Sequence, residues 1–302
     1  MLRRGRAPGS GIRSRRATRS RCTYRQTAGG RSRTVVDLLI LDIDGTIKAP
    51  LLAISDNFYG AAERARSAGL RIAICTGRPL AGIAAELAER LGPGQPHVFQ
   101  GGALIATPSG TQVHADCMPD SGVRQILTAA AGQQLHTEIY LPLHAWFTGP
   151  DARTACRDDD ERSLVSREEL RSIAVSEPVL RIVIMTTSAT PASPVAVPSG
   201  VSWHAGHSVQ IPGYIYHSYT VPGSDKGSAV RRLCRCYGVD PARVMAAGDD
   251  IADIPMLEAV GYPLVPADAR AELTSRFPMV GACAEDAAVE IIERALSLRG
   301  EI

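Results

Sequence analysis

Residues 40–48 read "ILDIDGTIK". They close a longer run, "VVDLLILDI" at 35–43, which is apolar in both alternating phases apart from Asp37. A strand with apolar side chains on both faces needs cover on both faces, the condition of a central strand in a parallel sheet. Two carboxylates, Asp42 and Asp44, then stand at its end. In extended chain, residues i and i+2 point to the same side, about 6.6 Å apart at ~3.3 Å per residue. Both carboxylates therefore face one place. At about 4 Å and an effective dielectric of about 20, two bare carboxylates repel by about 4 kcal/mol. A divalent cation removes that repulsion, and a donor set of carboxylates, a backbone carbonyl and water suits Mg2+.

Outward from this strand the elements alternate. Ser55 or Asp56 can cap a helix that ends at Gly69. "LRIAICT" (70–76) is a second strand, "PLAGIAAELAERLG" (79–92) a helix with apolar residues at helical spacing, and "HVFQGGALI" (97–105) a third strand. This βαβαβ rhythm predicts a doubly wound sheet. From about residue 108 to 219 the rhythm stops. Alternating, half-exposed strands such as "TQVHA", "TEIYLPLHAWF" and "LRIVIMT" are mixed with an acidic stretch, Asp158 to Glu161, and a Pro/Ala/Ser loop at 187–200. The rhythm returns with the helix "SDKGSAVRRLCRCYG", the strand "RVMAAGDD", a helix from Asp253, the strand "YPLVP" and a last helix from about Glu285 to Leu298. The expected fold is α/β: a Rossmann-like doubly wound parallel-sheet core at 34–108 and 220–302, carrying an inserted α+β cap at 109–219.

The chain has 302 residues, 45% hydrophobic and 21% charged, in the range of ordinary globular proteins. Its net charge of +2 hides an asymmetry, because residues 1–33 hold 11 of the 33 basic residues and no acid. The rest has 22 basic against 31 acidic residues, a net of −9, which disfavours nucleic acid as a partner. Residues 1–33 lack hydrophobic periodicity and read as a disordered Arg-rich extension; a transit peptide, a basic tail or an incidental upstream extension all fit, the last being preferred. No apolar run approaches the ~20 residues of a membrane span. Seven cysteines without a C-x-x-C indicate a reducing compartment, here the cytoplasm, without structural zinc. Cys234 and Cys236 read as a surface helix turn. Oligomeric state is not legible.

Lysine occurs only at 48 and 226; the other 31 basic residues are arginine. A lysine kept in such a chain is informative, since any solvated cation could be arginine. Lys226 opens the helix at the return to the core. Asp42, Asp44, Thr76 of "CTGRP" and Asp249 of "AAGDDIAD" follow predicted parallel strands, at the carboxyl ends where open α/β sheets bind ligands. Asp249 is the natural further metal ligand. Thr76 and the backbone N–H groups around Gly45 and Gly77 can hold phosphate oxygens, and Lys226 adds a point charge. Singly each signal is weak; D-x-D is common in loops and a lone lysine is usually a surface residue.

In this order the sequence resembles the haloacid dehalogenase-like superfamily, on its Cof-type phosphatase branch. The resemblance rests on "LDIDGT", "TGR" (76–78), "SDKGSAV" and "GDDIADIPML" (248–257), and covers roughly residues 35–298, thinly within the cap. Two departures are Gln100-Gly101-Gly102, where the family usually reads Asn-Gly-Ala, and Ala252, where it usually has asparagine. The resemblance implies a Mg2+-dependent phosphatase acting on a small phosphorylated metabolite. It implies that Asp42 attacks phosphorus and that Asp44 protonates the leaving alcohol and later activates water, so that the surroundings of Asp44 should favour its protonated form. It further implies metal ligation by Asp42, the Asp44 carbonyl and Asp249, phosphate binding by Thr76 and Lys226, and Asp253 one step behind the metal. A phosphomutase on the same scaffold and a non-catalytic phospho-ligand binding protein are the alternatives. In the cap, Trp146, Trp203, His204, His207 and His217 are candidate substrate contacts, though residues of these types are more often core or surface residues than ligand contacts.

Overall fold

The computed structural model describes residues 35–149, 162–187, 192–207 and 213–299. These belong to one compact unit, Arg31–Ile302. The Arg-rich extension at 1–33 and the acidic stretch Asp158–Glu161 lie outside the described residues.

The expected first strand forms as β1 (Leu38–Leu41), and every residue of it is buried. It lies between β2 (Arg71–Ile74) and β12 (Val244–Ala247), with β13 (Tyr262–Leu264) beyond β12, all parallel. Side chains alternate faces along a strand, so β1 serves two cores. Leu39 and Leu41 join Ile72, Ile74, Met245 and Ala247 under α1 (Asp56–Ser67), α2 (Gly82–Leu91) and α7 (Ala287–Arg299). Leu38 and Ile40 join Ala73, Cys75, Val244 and Ala246 under α5 (Lys226–Tyr237) and α6 (Ile254–Leu257). Helices on both faces make the sheet doubly wound, as the double apolar phase of β1 requires. Truncating Leu39, which has no exposed surface, to alanine would cost about 2–5 kcal/mol on this basis.

Local signals set the helix ends. Ser55 Oγ accepts from Phe58 N at 3.1 Å and starts α1. Asp225 and Ser228 form a reciprocal capping box on α5, which stops at Gly238 in the left-handed region with φ 64°. The first cap fixes the position of Lys226, the first residue of its helix.

The inserted segment is α+β, as expected. Its six strands run in the order β10-β11-β9-β6-β7-β8. They are β6 (His136–Tyr140), β7 (Ala145–Thr148), β8 (Arg162–Leu164), β9 (Arg181–Thr186), β10 (Ser202–His207) and β11 (Ile215–Thr220). Helices α3 (Asp120–Gly132) and α4 (Arg167–Ser176) cover one face, packing Ile126, Leu127 and Leu170 on Ile139, Ile182, Ile184 and Tyr219. "TEIYLPLHAWF" is not one strand; it folds back at Pro142 and Leu143, pairing β6 with β7. "TQVHA" also differs from its reading as part of the insert. As β5 (Gln112–Ala115) it pairs with β4 (Leu104–Ala106), which pairs with β3 (His97–Phe99). β3 meets the core sheet through the parallel bridge of Cys75 with Val98. Alternation marks a strand but not its partner; the tight turn at Thr107–Gly110, with Gly110 at φ 87°, folds β5 back on β4.

His97, with no exposed surface, joins two core segments. Its Nδ1 accepts from the Ile74 N–H at 3.1 Å and its Nε2 lies 3.1 Å from the Gly92 carbonyl, which fixes the neutral tautomer. Burial pushes its pKa from the ordinary 6.5 down to about 4. The unfolded chain then binds the extra proton between those values, so stability is full above pH 6.5 and falls as pH drops toward 4. The loss should reach about 3 kcal/mol for this group. Thermal unfolding across pH 4–7 checks it: His97→Gln, though less stable at neutral pH, should show a flatter decline over that interval than the wild type.

Candidate active site

β1 delivers Asp42 immediately past its last residue, Leu41, with Asp42 N donating to the Ala247 carbonyl at 3.0 Å. The chain then coils tightly, the amides of Ile47 and Lys48 both donating to Ile43 O. Gly45 sits in this coil at φ 79°, and a Cβ there would lie 2.1 Å from Asp249 Oδ2. Only glycine satisfies both conditions. The loop and the end of β12 are thereby pressed together, and Thr46 Oγ1 donates to Asp249 Oδ1 at 3.4 Å.

Lys226 is the centre of the arrangement. It is 5% exposed, and its Nζ donates to Asp42 Oδ1 at 2.7 Å and to Asp253 Oδ1 at 2.5 Å. Gly227 lets α5 reach this point, since a Cβ there would meet the Pro255 carbonyl at 2.3 Å. Asp253 Oδ2 in turn accepts from the amides of Asp249 and Asp250, at 3.1 and 3.0 Å. Asp253 therefore orients both the lysine and the loop that carries Asp249, in keeping with a place one step behind a metal.

One carboxylate oxygen from each of Asp42, Asp249 and Asp253 lies within 4.8 Å of the others. The three would carry −3, and Lys226 returns +1. Burial raises the pKa of Asp42 to about 7, with Asp253 and Asp44 adding repulsion against the pull of Lys226. Burial likewise raises Asp249 to about 9, helped by Asp42 and Asp253. Burial also works against the Lys226 ammonium, but Asp253 and Asp42 outweigh it and hold the amine protonated well above its ordinary value. The deficit of two positive charges equals one divalent cation, and the donors are all oxygen, so the residues fit Mg2+. Asp42 and Asp249 are the side chains with capacity for it, because Asp253 already accepts from three N–H donors.

Thr76 follows β2, 1% exposed. Its amide donates to Val98 O, its carbonyl accepts from Gly101 N, and its hydroxyl accepts from Arg78 N at 3.1 Å. The register that opposes Leu41 to Ile74 sets Thr76 one strand over from the Asp42 loop. Gly77 has open space where a Cβ would stand, so its place in "TGR" is not sterically forced.

Arg78, to which the sequence reading gave no role, forms a bidentate pair with Asp44: Nε to Oδ2 at 2.7 Å and Nη2 to Oδ1 at 2.8 Å. A fork-to-fork guanidinium pair favours the carboxylate form. This runs against the expectation that the surroundings of Asp44 favour its protonated form. The signal was the arginine of "TGRP", immediately after the phosphate-binding candidates Thr76 and Gly77.

The cap candidates separate by side-chain parity. Trp146 and Trp203 pack into the helix-covered core, and the Trp203 ring stacks on fully buried His217 at 6.0 Å. These three are core residues. His204 stands on the opposite face with its side chain open to solvent; partial desolvation against the sheet, aided by the charge of Arg181, lowers its pKa to about 4. The side chain of His207 lies outside the described residues. Two cap–core hydrogen bonds bracket the mouth: Gln100 Nε2 donates to Leu141 O at 2.8 Å, and Arg181 Nη1 donates to Gly77 O at 3.2 Å.

A family model described as haloacid dehalogenase-like hydrolase matches residues 39–292. The chain belongs to this family. Among curated proteins, one from Streptococcus pyogenes serotype M6, described as a putative phosphatase, is 26% identical over 256 residues, covering 76% of this chain and 87% of that one. Among solved structures, the haloalkanoate-superfamily phosphatase BT1666 from Bacteroides thetaiotaomicron superposes with a TM-score of 0.70 at 19% identity, covering 91% of this chain and 99% of that one. The subclass IIB sugar phosphatase BT4131 gives 0.69 at 20% identity, covering 88% and 100%. These likenesses establish the haloacid dehalogenase fold, with its Rossmann-like core and cap. No helix among the described residues is long and apolar enough to cross a membrane.

The Gly45 cradle supplies a test. Binding at 100 times Kd adds about 2.7 kcal/mol to stability. For a domain of this size that is about 5–10 °C in Tm. Mg2+ should raise the wild-type Tm by such an amount, whereas Gly45→Ala, whose Cβ displaces Asp249, should show little or no rise in the same titration.

Proposed function

We propose that the protein is a Mg2+-dependent phosphatase that hydrolyses a small phosphomonoester, a sugar phosphate or related metabolite, through an aspartyl-phosphate on Asp42. The observation that carries this reading is the buried set of Asp42, Asp249 and Asp253 around a single lysine, short of two positive charges. Membership of a hydrolase family and the described activities of its relatives agree with it.

In this mechanism a carboxylate oxygen of Asp42 bonds to phosphorus as the bond to the leaving oxygen breaks. Lys226, Thr76 and the amides around Gly45 and Gly77 hold the phosphoryl oxygens in place. Asp42, Asp249 and the Asp44 carbonyl would hold Mg2+, which when bound would neutralise charge building on the transferring group. Asp44 gives its proton to the leaving oxygen. It then takes a proton from the water that attacks phosphorus and regenerates the Asp42 carboxylate. The Arg78 pair must open for this. The arriving phosphate is itself a bidentate acceptor, and by drawing the guanidinium away it lets the Asp44 carboxylate take up a proton from solvent, the proton it then passes to the leaving oxygen. Residues 34–108 and 220–302 are read as the catalytic core and 109–219 as the specificity cap, with the β4–β5 hairpin attached on the core side. Cys234 is buried in the core under its helix, not on a surface turn as its sequence reading had it, and buried Cys75, Cys234 and Cys283 are free thiols, which agrees with work in the cytoplasm.

The two aspartates separate in experiment. Asp42→Asn should lose several orders of magnitude in kcat while folding normally, since the side chains are near-isosteric. Asp44→Asn should lose about 10² to 10⁴ in kcat. It should also accumulate phosphate on Asp42 when given an aryl phosphate, whose leaving oxygen needs little protonation. Mass spectrometry of the quenched enzyme locates that phosphate. Its appearance on another residue, or wild-type turnover by Asp42→Asn or in excess chelator, would remove the proposed mechanism.

A further inference from the structure

One buried side chain joins the cap to the loop that follows β2, and the catalytic reading does not use it. Gln100 opens the turn between β3 and β4 and is 2% exposed. Its Nε2 donates to the Leu141 carbonyl, in the cap's β6–β7 turn, at 2.8 Å. Its backbone N–H donates to Arg78 O at 2.9 Å, and that of Gly101 donates to Thr76 O at 2.9 Å. Gly102 presses the same turn against the start of α5, since a Cβ there would lie 2.3 Å from the Asp225 carbonyl. Asp225 is the N-cap residue directly before Lys226. The turn 100–102 therefore touches the loop that carries Thr76, the helix that carries Lys226, and the cap.

The corner of the cap that Gln100 meets also has an apolar anchor. Leu180 N donates to Tyr140 O, beside Leu141, at 2.8 Å. Its side chain has no exposed surface and joins the core cluster of Phe99, Ala103 and Leu104. Apolar burial adheres without direction, whereas a hydrogen bond fixes a distance and an angle. Leu180 thus holds the corner down and Gln100 sets its register.

Gln100 makes this bond from an unfavourable place. Among the described residues, the non-glycine positions with positive φ are Leu51, Gln100, Gln134 and Asp286, and of these Gln100, at φ 54°, alone is buried. The left-handed region is strained for a glutamine and not for a glycine. Its Oε1 is moreover buried without a partner. A glycine would remove both penalties. Two penalties on one residue point to what its side chain alone supplies, the bond to Leu141. Asparagine, usual here in the family, suits the left-handed region better but is one methylene shorter.

Resting on the phosphatase reading above, we propose that Gln100 is a positioning residue: its amide fixes the cap's β6–β7 corner over the loop that carries Thr76, and that register aligns leaving groups long enough to reach the cap.

The test uses Gln100→Asn, which suits the backbone but is too short, and Gln100→Met, which matches the length but has no donor. Both keep the backbone bonds to Thr76 and Arg78. Amide hydrogen exchange in the Leu141–His144 turn should rise about threefold or more in both variants, while exchange in α7 of the core stays unchanged. Kinetics compare acetyl phosphate, whose leaving group is small, with the best wild-type substrate among glucose 6-phosphate, ribose 5-phosphate and glycerol 3-phosphate. Loss of one hydrogen bond should lower kcat/KM on that sugar or polyol ester by about three- to tenfold in both variants, mainly through KM, and on acetyl phosphate by less than about twofold. Unchanged exchange in the turn, or an equal loss on both kinds of ester, would overturn the proposal. So would a loss in Gln100→Met alone, which would trace the effect to backbone strain. Wild-type turnover of acetyl phosphate alone would also overturn it, while leaving a phosphatase. Absence of turnover on all four compounds would instead overturn the phosphatase reading and the positioning role with it.

Discussion

One buried ammonium organises this molecule. Lys226 reaches Asp42 across 184 residues of sequence and Asp253 across 27, so a single side chain ties the first strand of the core to its second half. The tie is costly by itself. Each ion forfeits several kcal/mol of hydration, and only close geometry with further hydrogen bonds recovers it. The chain supplies that geometry with backbone rather than bulk. The capping box places the lysine at the head of its helix, and glycines at 45, 227 and 248 let three segments approach more closely than a Cβ would allow.

Stability and chemistry pull against each other at this point. A set of three carboxylates with one lysine is electrostatically incomplete, and burial, with the mutual repulsion of the carboxylates added, raises the pKa values of Asp42 and Asp249. The apolar layers on either face of β1 keep so unbalanced a set from rearranging.

Much of the core was legible in the sequence. Asp42, Thr76 and Asp249 each follow a strand whose apolar phase identified it, and in a parallel sheet all such ends share one edge. Lys226 stood out because arginine has replaced lysine nearly everywhere else. What escaped reading depends on partners rather than patterns. "TQVHA" announced a strand and gave no sign of whether β4 or the cap would receive it. Arg78 and Arg181 looked like ordinary cations at strand ends, and only the folded loops bring one to Asp44 and the other to Gly77. The parity of Trp203 and His217 was available, since Tyr219 shares their face, but which face the helices would cover was not.

The scarcity of lysine has a practical side. With Lys226 enclosed by carboxylates and 5% exposed, Lys48 is the one lysine side chain that the folded protein offers to amine-directed chemistry. It closes the coil that begins at Asp42, its carbonyl accepting from Gly45 N at 2.9 Å. A dye, a crosslinker or a resin coupled through lysine would therefore gather at the rim of the loop that follows Asp42, turning random surface labelling into attachment at one defined address.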